Sequence, residues 1–439
     1  MKKQLSFLLC FLLATSALST FSACGNNKNV LRVSNWAEYI DGGDEDSELI
    51  HEFESWYEEQ TGEPIRVEYS VADDNENLYN MLKMGDKFDL VCPSEYMIMK
   101  LADEGRLLTY PEEFFDPEID GNYYAQYVSP FIKDTFDSNV ISERNPRSWT
   151  AYAAGYMWGT TGFVFNPESV NPDDVKTWNV FTNPNYKNKI TAKNNVRDTY
   201  FTGLGAYYEQ DILTLNAKLA AGEIEIANYK SELSRMMNDT NESTMGAVKE
   251  ILQNMTSNLY GFETDEGKND TIAGKVTINF QWSGDAVYIM DEAEEAGTIL
   301  HYSIPESVSN LWFDGWVMPT SCENQKAAMM FVNFLSMPEN AVRNMNYIGY
   351  TSCIGGEAVF EEMIDWYGAE DDDETAVEYD LSYFFGDGSI LTTPAEQLTR
   401  QLFAQYPDAN TINRCVAMQY FDRDENARAN NMWSDITFF

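Results

Sequence analysis

Histidine is nearly missing from this chain: His51 and His301 are the only two in 439 residues. That scarcity argues against His-based acid–base catalysis and against a His-rich metal site. Cysteine is little better represented. Of six, Cys10 and Cys24 lie in the N-terminal leader. Cys92, Cys322, Cys353 and Cys415 remain, spaced too widely for a zinc site or a dense disulfide scaffold. One pair could bridge outside the cell, but spacing does not assign it. Positive charge is scarce as well: Lys+Arg 29 against Asp+Glu 71 gives a formal net charge of −42. Such a surface repels nucleic acid and anionic head groups and draws cations. The chain has no Gly-rich phosphate loop, no nucleophile elbow and no internal repeat. Beyond the leader it has no apolar run of the ~20 residues that a membrane span takes.

What is present begins with that leader. Lys2 and Lys3 precede an apolar run from Leu5 to Leu18 and then the small residues around Ser22 and Ala23, the order of a secretory signal. Cys24 follows directly and resembles the acylated cysteine of a bacterial lipobox, with Phe21 in place of the usual Leu. Residues 1–23 are therefore expected to be a signal peptide, and 24–29 a polar tether lipid-anchored on Cys24; a plain cleaved signal is the alternative. Hydrophobic residues at 44% and aromatics at 14% exclude a disordered chain. The length points to two lobes, at ~150 residues per domain.

The first stretch with chemistry is Ser34-Asn35-Trp36-Ala37-Glu38-Tyr39-Ile40, at the C-terminal end of an apolar strand. In open α/β sheets, ligands bind at such ends. Trp36 and Tyr39 offer electron-rich faces that attract cations, and Glu38 offers a charge-assisted bond to an ammonium. The plain alternative is core aromatics beside a solvated acid. Downstream, Ser47 caps a helix with apolar residues at helical spacing, and Gly62 stops it. Strands at Ile65–Ser70 and Phe88–Val91 alternate with helices at Asn75–Met84 and from Met97, the βαβαβα order of a mostly parallel sheet. The third strand again ends in polar and aromatic residues, Ser94-Glu95-Tyr96.

Farther on, the Gly-flanked run from Ala154 to Gly162 suits a crossing between lobes and leads into a strand from Phe163 to Asn166. A short strand ends in Lys193-Asn194-Asn195-Val196-Arg197-Asp198, and residues 209–260 read as helices around one loop. A strand from Val276 to Gln281 ends at Trp282. Trp312-Phe313-Asp314-Gly315-Trp316 precedes a short strand at Val317–Met318. Residues 365–390 read as an acidic, loop-like insertion; they lack the spacing and central glycine of an EF-hand. The tail from Tyr420 to Ile436 reads as a helix.

Taken in order, Ser34 to Tyr39, Asp89 to Tyr96, Trp158 to Gly162, Trp312 to Asp314 and Ile348 to Tyr350 resemble the bacterial spermidine/putrescine-binding proteins, the extracytoplasmic receptors of polyamine ABC transporters. The resemblance implies an α/β, two-lobed periplasmic-binding-protein fold of type II, with the ligand in the cleft. Lobe 1 would comprise 30–158 and 313–356, lobe 2 would comprise 159–312 and 357–439. It further implies ligand-binding roles for Trp36, Glu38, Tyr39, Ser94, Tyr96, Asn195, Asp198, Trp282, Trp312, Asp314, Tyr350 and Gln419. Asn195 stands where the spermidine binder has an acid, and Glu95 where it has Thr. Implied partners are a polyamine, an ABC permease and, through Cys24, a membrane; the protein would be a monomer with no cofactor or metal and no covalent chemistry. Three other readings stay open: a binder of another small solute on the same fold, a glycoside hydrolase using Glu38 and Asp314, and a structural lipoprotein.

Overall fold

Residues 29–43, 47–264 and 266–437 are described by a computed structural model of the chain; the leader and Cys24 lie outside them. The strands, in chain order, are β1 (Val30–Asn35), β2 (Arg66–Val71), β3 (Leu90–Val91), β4 (Ala153–Phe165), β5 (Ile190–Lys193), β6 (Gly261–Glu263), β7 (Ile278–Trp282), β8 (His301–Ser303), β9 (Ser309–Val317), β10 (Thr351–Ser352), β11 (Val377–Asp380), β12 (Ile390–Thr393) and β13 (Cys415–Val416). An 11-stranded sheet runs in the order β2-β1-β3-β9-β4-β7-β5-β6, with β10 and β8 added on β4 and β13 on β9. β1, β2 and β3 are mutually parallel, as are β5, β6 and β7. The central pair β4 and β9 is antiparallel, with a slip in register between Gly155 and Met157. Each end of the sheet is thus a small parallel α/β unit, and the two units share a pair of long strands.

The first unit forms as the periodicity predicts. The helix Glu48–Thr61 buries Leu49, Ile50, Phe53 and Tyr57. Ser47 Oγ accepts a bond from the Ile50 amide at 3.4 Å, satisfying an otherwise open helix-start donor. Gly62 ends the helix with φ 73°, a conformation glycine enters without steric cost.

The long central strands differ from the sequence expectation. β4 spans Ala153–Phe165 rather than beginning at Phe163, and β9 spans Ser309–Val317 rather than beginning at Val317. Every residue of both strands is buried. A strand covered on both faces has no polar-apolar alternation, so its period is invisible in the sequence. The acidic insertion is only partly a loop: residues 368–376, which hold the acidic run, form neither helix nor strand, whereas β11 and β12 pair as a hairpin with the short helix Ser382–Phe385 between them. Phe384 stacks on Trp158 at 5.4 Å between centroids and packs on Tyr406, anchoring the insertion to β4, while Asp371, Asp372 and Glu374 stay exposed. Among the described residues no helix is long and apolar enough to cross a membrane. Cys92, Cys353 and Cys415 are buried and Cys322 half-buried, all as free thiols.

Candidate ligand-binding site

Asp314 lies mid-way along β9, buried, where β1 and β3 bring their C-terminal ends. Its carboxylate collects three neutral donors. Ser94 Oγ donates to Oδ1 at 2.7 Å; the Tyr39 hydroxyl and Trp36 Nε1 donate to Oδ2 at 2.9 and 3.3 Å. Burial pushes the Asp314 carboxyl up from 3.8 to about 6, and the three bonds hold it back from rising further. Ser94 occupies the cap position of the helix Glu95–Asp103 but makes no cap bond with its side chain. It is held instead by Asn75, whose Nδ2 donates to its Oγ at 3.0 Å.

An aromatic wall continues from this carboxylate. The Tyr39 ring meets Tyr350 edge-on at 5.2 Å, and Tyr350 meets Trp312 at 5.5 Å. Trp312 Nε1 donates to the Thr160 carbonyl at 3.2 Å, which fixes the indole against β4. Tyr350 lies directly over Gly284, where a Cβ would come within 2.0 Å of its ring, so the close approach requires glycine. Glu38 is exposed, with backbone φ 55°.

The other parallel unit contributes a second cluster at the ends of β5 and β7. Asn195 caps the helix Val196–Ala220: its Oδ1 accepts from the Arg197 and Asp198 amides at 2.8 and 2.9 Å, and its Nδ2 donates to the Asp198 carboxylate. Asp198 is buried, and burial raises its carboxyl above the ordinary value. The Asn195 bond, the Lys193 charge, a bond from Trp282 and the Arg197 charge oppose that rise. Tyr96 and Gln419 are brought together by Arg197, whose guanidinium lies 4.2 Å from the Tyr96 ring centroid and donates to the Gln419 carbonyl. Gln419 itself is exposed, and its part in this cluster is played by its backbone.

Two residues that sequence reasoning did not place in the site, and a third, Glu95, that it noted only at the end of β3, shape it. Lys193 and Arg197 are buried cations beside predicted contacts. Glu95 is 1% exposed and accepts from the Phe313 amide at 3.0 Å and the Met418 amide at 3.3 Å, tying β9 to the C-terminal segment. Burial pushes its carboxyl up to about 8, so it is mostly protonated at neutral pH. Charged residues in otherwise buried segments were the available signal, since Lys, Arg and Glu are seldom fully buried unless paired.

Two α/β units whose strand ends present carboxylates and aromatic faces make the frame of a two-lobed binding protein. The chain belongs to the bacterial extracellular solute-binding proteins, whose family model matches residues 48–358. It is 25% identical over 339 residues to the spermidine/putrescine-binding periplasmic protein of Salmonella typhimurium, covering 76% of this chain and 80% of that one. It is 24% identical over 360 residues to the putrescine-binding periplasmic protein PotF of Escherichia coli, covering 80% and 84%. Among solved structures it resembles the spermidine/putrescine ABC transporter substrate-binding protein PotD of Streptococcus pneumoniae, with TM-score 0.60 at 23% identity over 93% of this chain and 98% of that one. The TpPotD lipoprotein of Treponema pallidum gives TM-score 0.63 at 16% identity, over 93% and 100%. These relatives are solute-binding proteins of transport systems and not enzymes, which leaves the hydrolase reading of Glu38 and Asp314 without support.

Proposed function

We propose that this protein captures a polyamine between its two lobes outside the cytoplasm and delivers it to an ABC permease, tethered to the membrane by a lipid on Cys24. The observation that carries the reading is the Asp314 carboxylate. It is buried, its three bonding partners are neutral, and it lies beside the wall of Tyr39, Tyr350 and Trp312. An ammonium is the group that such a carboxylate lacks: a buried ion costs several kcal/mol unless paired. Methylene groups between ammoniums suit the aromatic faces, which themselves contribute roughly 0.5–2 kcal/mol per cation. Asp198, at the ends of β5 and β7, provides the second carboxylate. Under this reading lobe 1 comprises 30–158 and 313–356, lobe 2 comprises 159–312 and 357–439, and the β4–β9 pair crosses between them. A ligand held by both lobes favours their closed arrangement.

The names of the relatives support the same ligand class. The test is a calorimetric titration with putrescine, spermidine and a neutral diol of matched length. Saturable heat with an amine and none with the diol is the expected result. A folded protein that binds neither amine overturns the reading and directs the search to other small solutes. Membrane release of a Cys24→Ser variant in fractionated cells checks the anchor.

A further inference from the structure

Two of the aromatic faces that suit a cation are already covered by the chain's own cations. Lys193 Nζ lies 3.8 Å from the Trp282 ring centroid. It donates to Gln281 Oε1 at 2.6 Å and to the Thr264 carbonyl at 3.0 Å, and Glu263 lies 3.6 Å away. The Arg197 guanidinium is sandwiched between Tyr96, at 4.2 Å, and Phe421, at 3.8 Å. Both side chains are buried, Lys193 at 1% exposure and Arg197 at 6%.

These residues also claim acids. Glu263 pairs with Lys193. Glu76, which accepts from the Tyr96 hydroxyl at 3.4 Å, feels the Arg197 charge most strongly among its charged neighbours. Glu95 is taken by two backbone amides. Asn195 carries no charge. Glu38 is exposed, where water screens an ion pair to little net worth. Asp285 pairs with Lys268 at 3.4 Å. Of the buried carboxylates at these strand ends, Asp314 and Asp198 are left for a ligand, and Asp198 already feels the Lys193 and Arg197 charges. Asp314 already accepts three bonds, which leaves about one of a carboxylate's roughly four lone-pair directions open.

We infer that Lys193 and Arg197 are specificity-determining residues that stand in for part of a longer cation, so that the site takes an α,ω-diamine in preference to a triamine. The inference rests on the polyamine reading above. A third ammonium would be buried without a carboxylate of its own and near two like charges, a penalty worth about tenfold or more in affinity.

The experiment is a paired titration of the full chain with 1,4-diaminobutane and spermidine. The wild type should bind the diamine at least about tenfold more tightly. Arg197→Gln should shrink that ratio severalfold, and Arg197→Lys, which keeps the charge, should preserve it; Lys193→Gln gives a second test should Arg197→Gln fail to fold. Spermidine binding as tightly as the diamine overturns this inference and leaves the polyamine reading standing. No saturable binding of either amine overturns both. An unchanged ratio in folded variants of both cations overturns the assignment to Lys193 and Arg197.

Discussion

Replacing Asp314 by Asn separates binding from stability in a way few substitutions here would. The carboxyl is lifted from 3.8 to about 6 by burial, and at 1.36 kcal/mol per pKa unit its ionised form destabilises the ligand-free protein by about 3 kcal/mol. The sign follows from linkage. Between 3.8 and about 6 the folded protein holds a proton that the unfolded chain has released, so stability falls as pH rises through that window. Asn keeps the shape without the charge, but it cannot accept from Ser94, Tyr39 and Trp36 together. Losing one or two of those bonds costs about 1 kcal/mol each. Ligand-free Asp314→Asn should therefore match or slightly exceed the wild type in stability at about pH 7.5, and fall below it by about 1–2 kcal/mol at about pH 4. Polyamine affinity should drop about thirtyfold or more, the usual cost of removing one partner of a buried charge pair. Urea unfolding at the two pH values, with and without putrescine, reads both effects. A variant that loses stability at neutral pH and still binds would refute the reasoning.

Two further substitutions test the frame around the site. Glu95→Gln replaces a carboxyl that burial pushes from 4.5 to about 8, so the variant should gain stability relative to wild type as pH rises through that window; a gap that narrows instead rules the protonated state out. Gly284→Ala places a methyl 2.0 Å from the Tyr350 ring and should cost about 1–3 kcal/mol together with ligand affinity. In a Tyr350→Ala background the stability cost should shrink, and an equal cost in both backgrounds would show that Tyr350 is not what the methyl meets.

The opening βαβ units were legible because their helices are amphipathic and plainly punctuated: Ser47 and Gly62 bracket a helix that buries Leu49, Ile50, Phe53 and Tyr57. β4 and β9 were not, since burial on both faces erases the alternation that marks a strand. The candidate contacts divide along the same line. Trp36 and Tyr39, Ser94, and Asp314 come from three distant stretches, and the ends of β1 and β3 bring the first three onto Asp314 in the middle of β9. Ser94 shows the limit of local reasoning: its sequence position suits a helix cap, and only the fold reveals that its hydroxyl turns toward Asp314. Lys193 and Arg197 were hidden by the opposite expectation, that a cation site holds acids. Their signal was local and adverse, a lysine closing a buried strand and an arginine in the first turn of a helix, where the macrodipole disfavours positive charge.

The slip in register between Gly155 and Met157 falls within the ribbon that the two parallel units share. On one side of it Ala153 to Gly155 pair with Gly315 to Val317; on the other, Met157 to Thr160 pair with Leu311 to Asp314. If the two units rotate against one another, as the proposed function requires, the shared hydrogen-bonded ribbon carries the torsion, and a bulged pair is where its local twist is greatest. Asp314 sits opposite Met157, beside that slip. Under the proposed function, a cation captured at Asp314 would bind beside the step where the shared ribbon changes register.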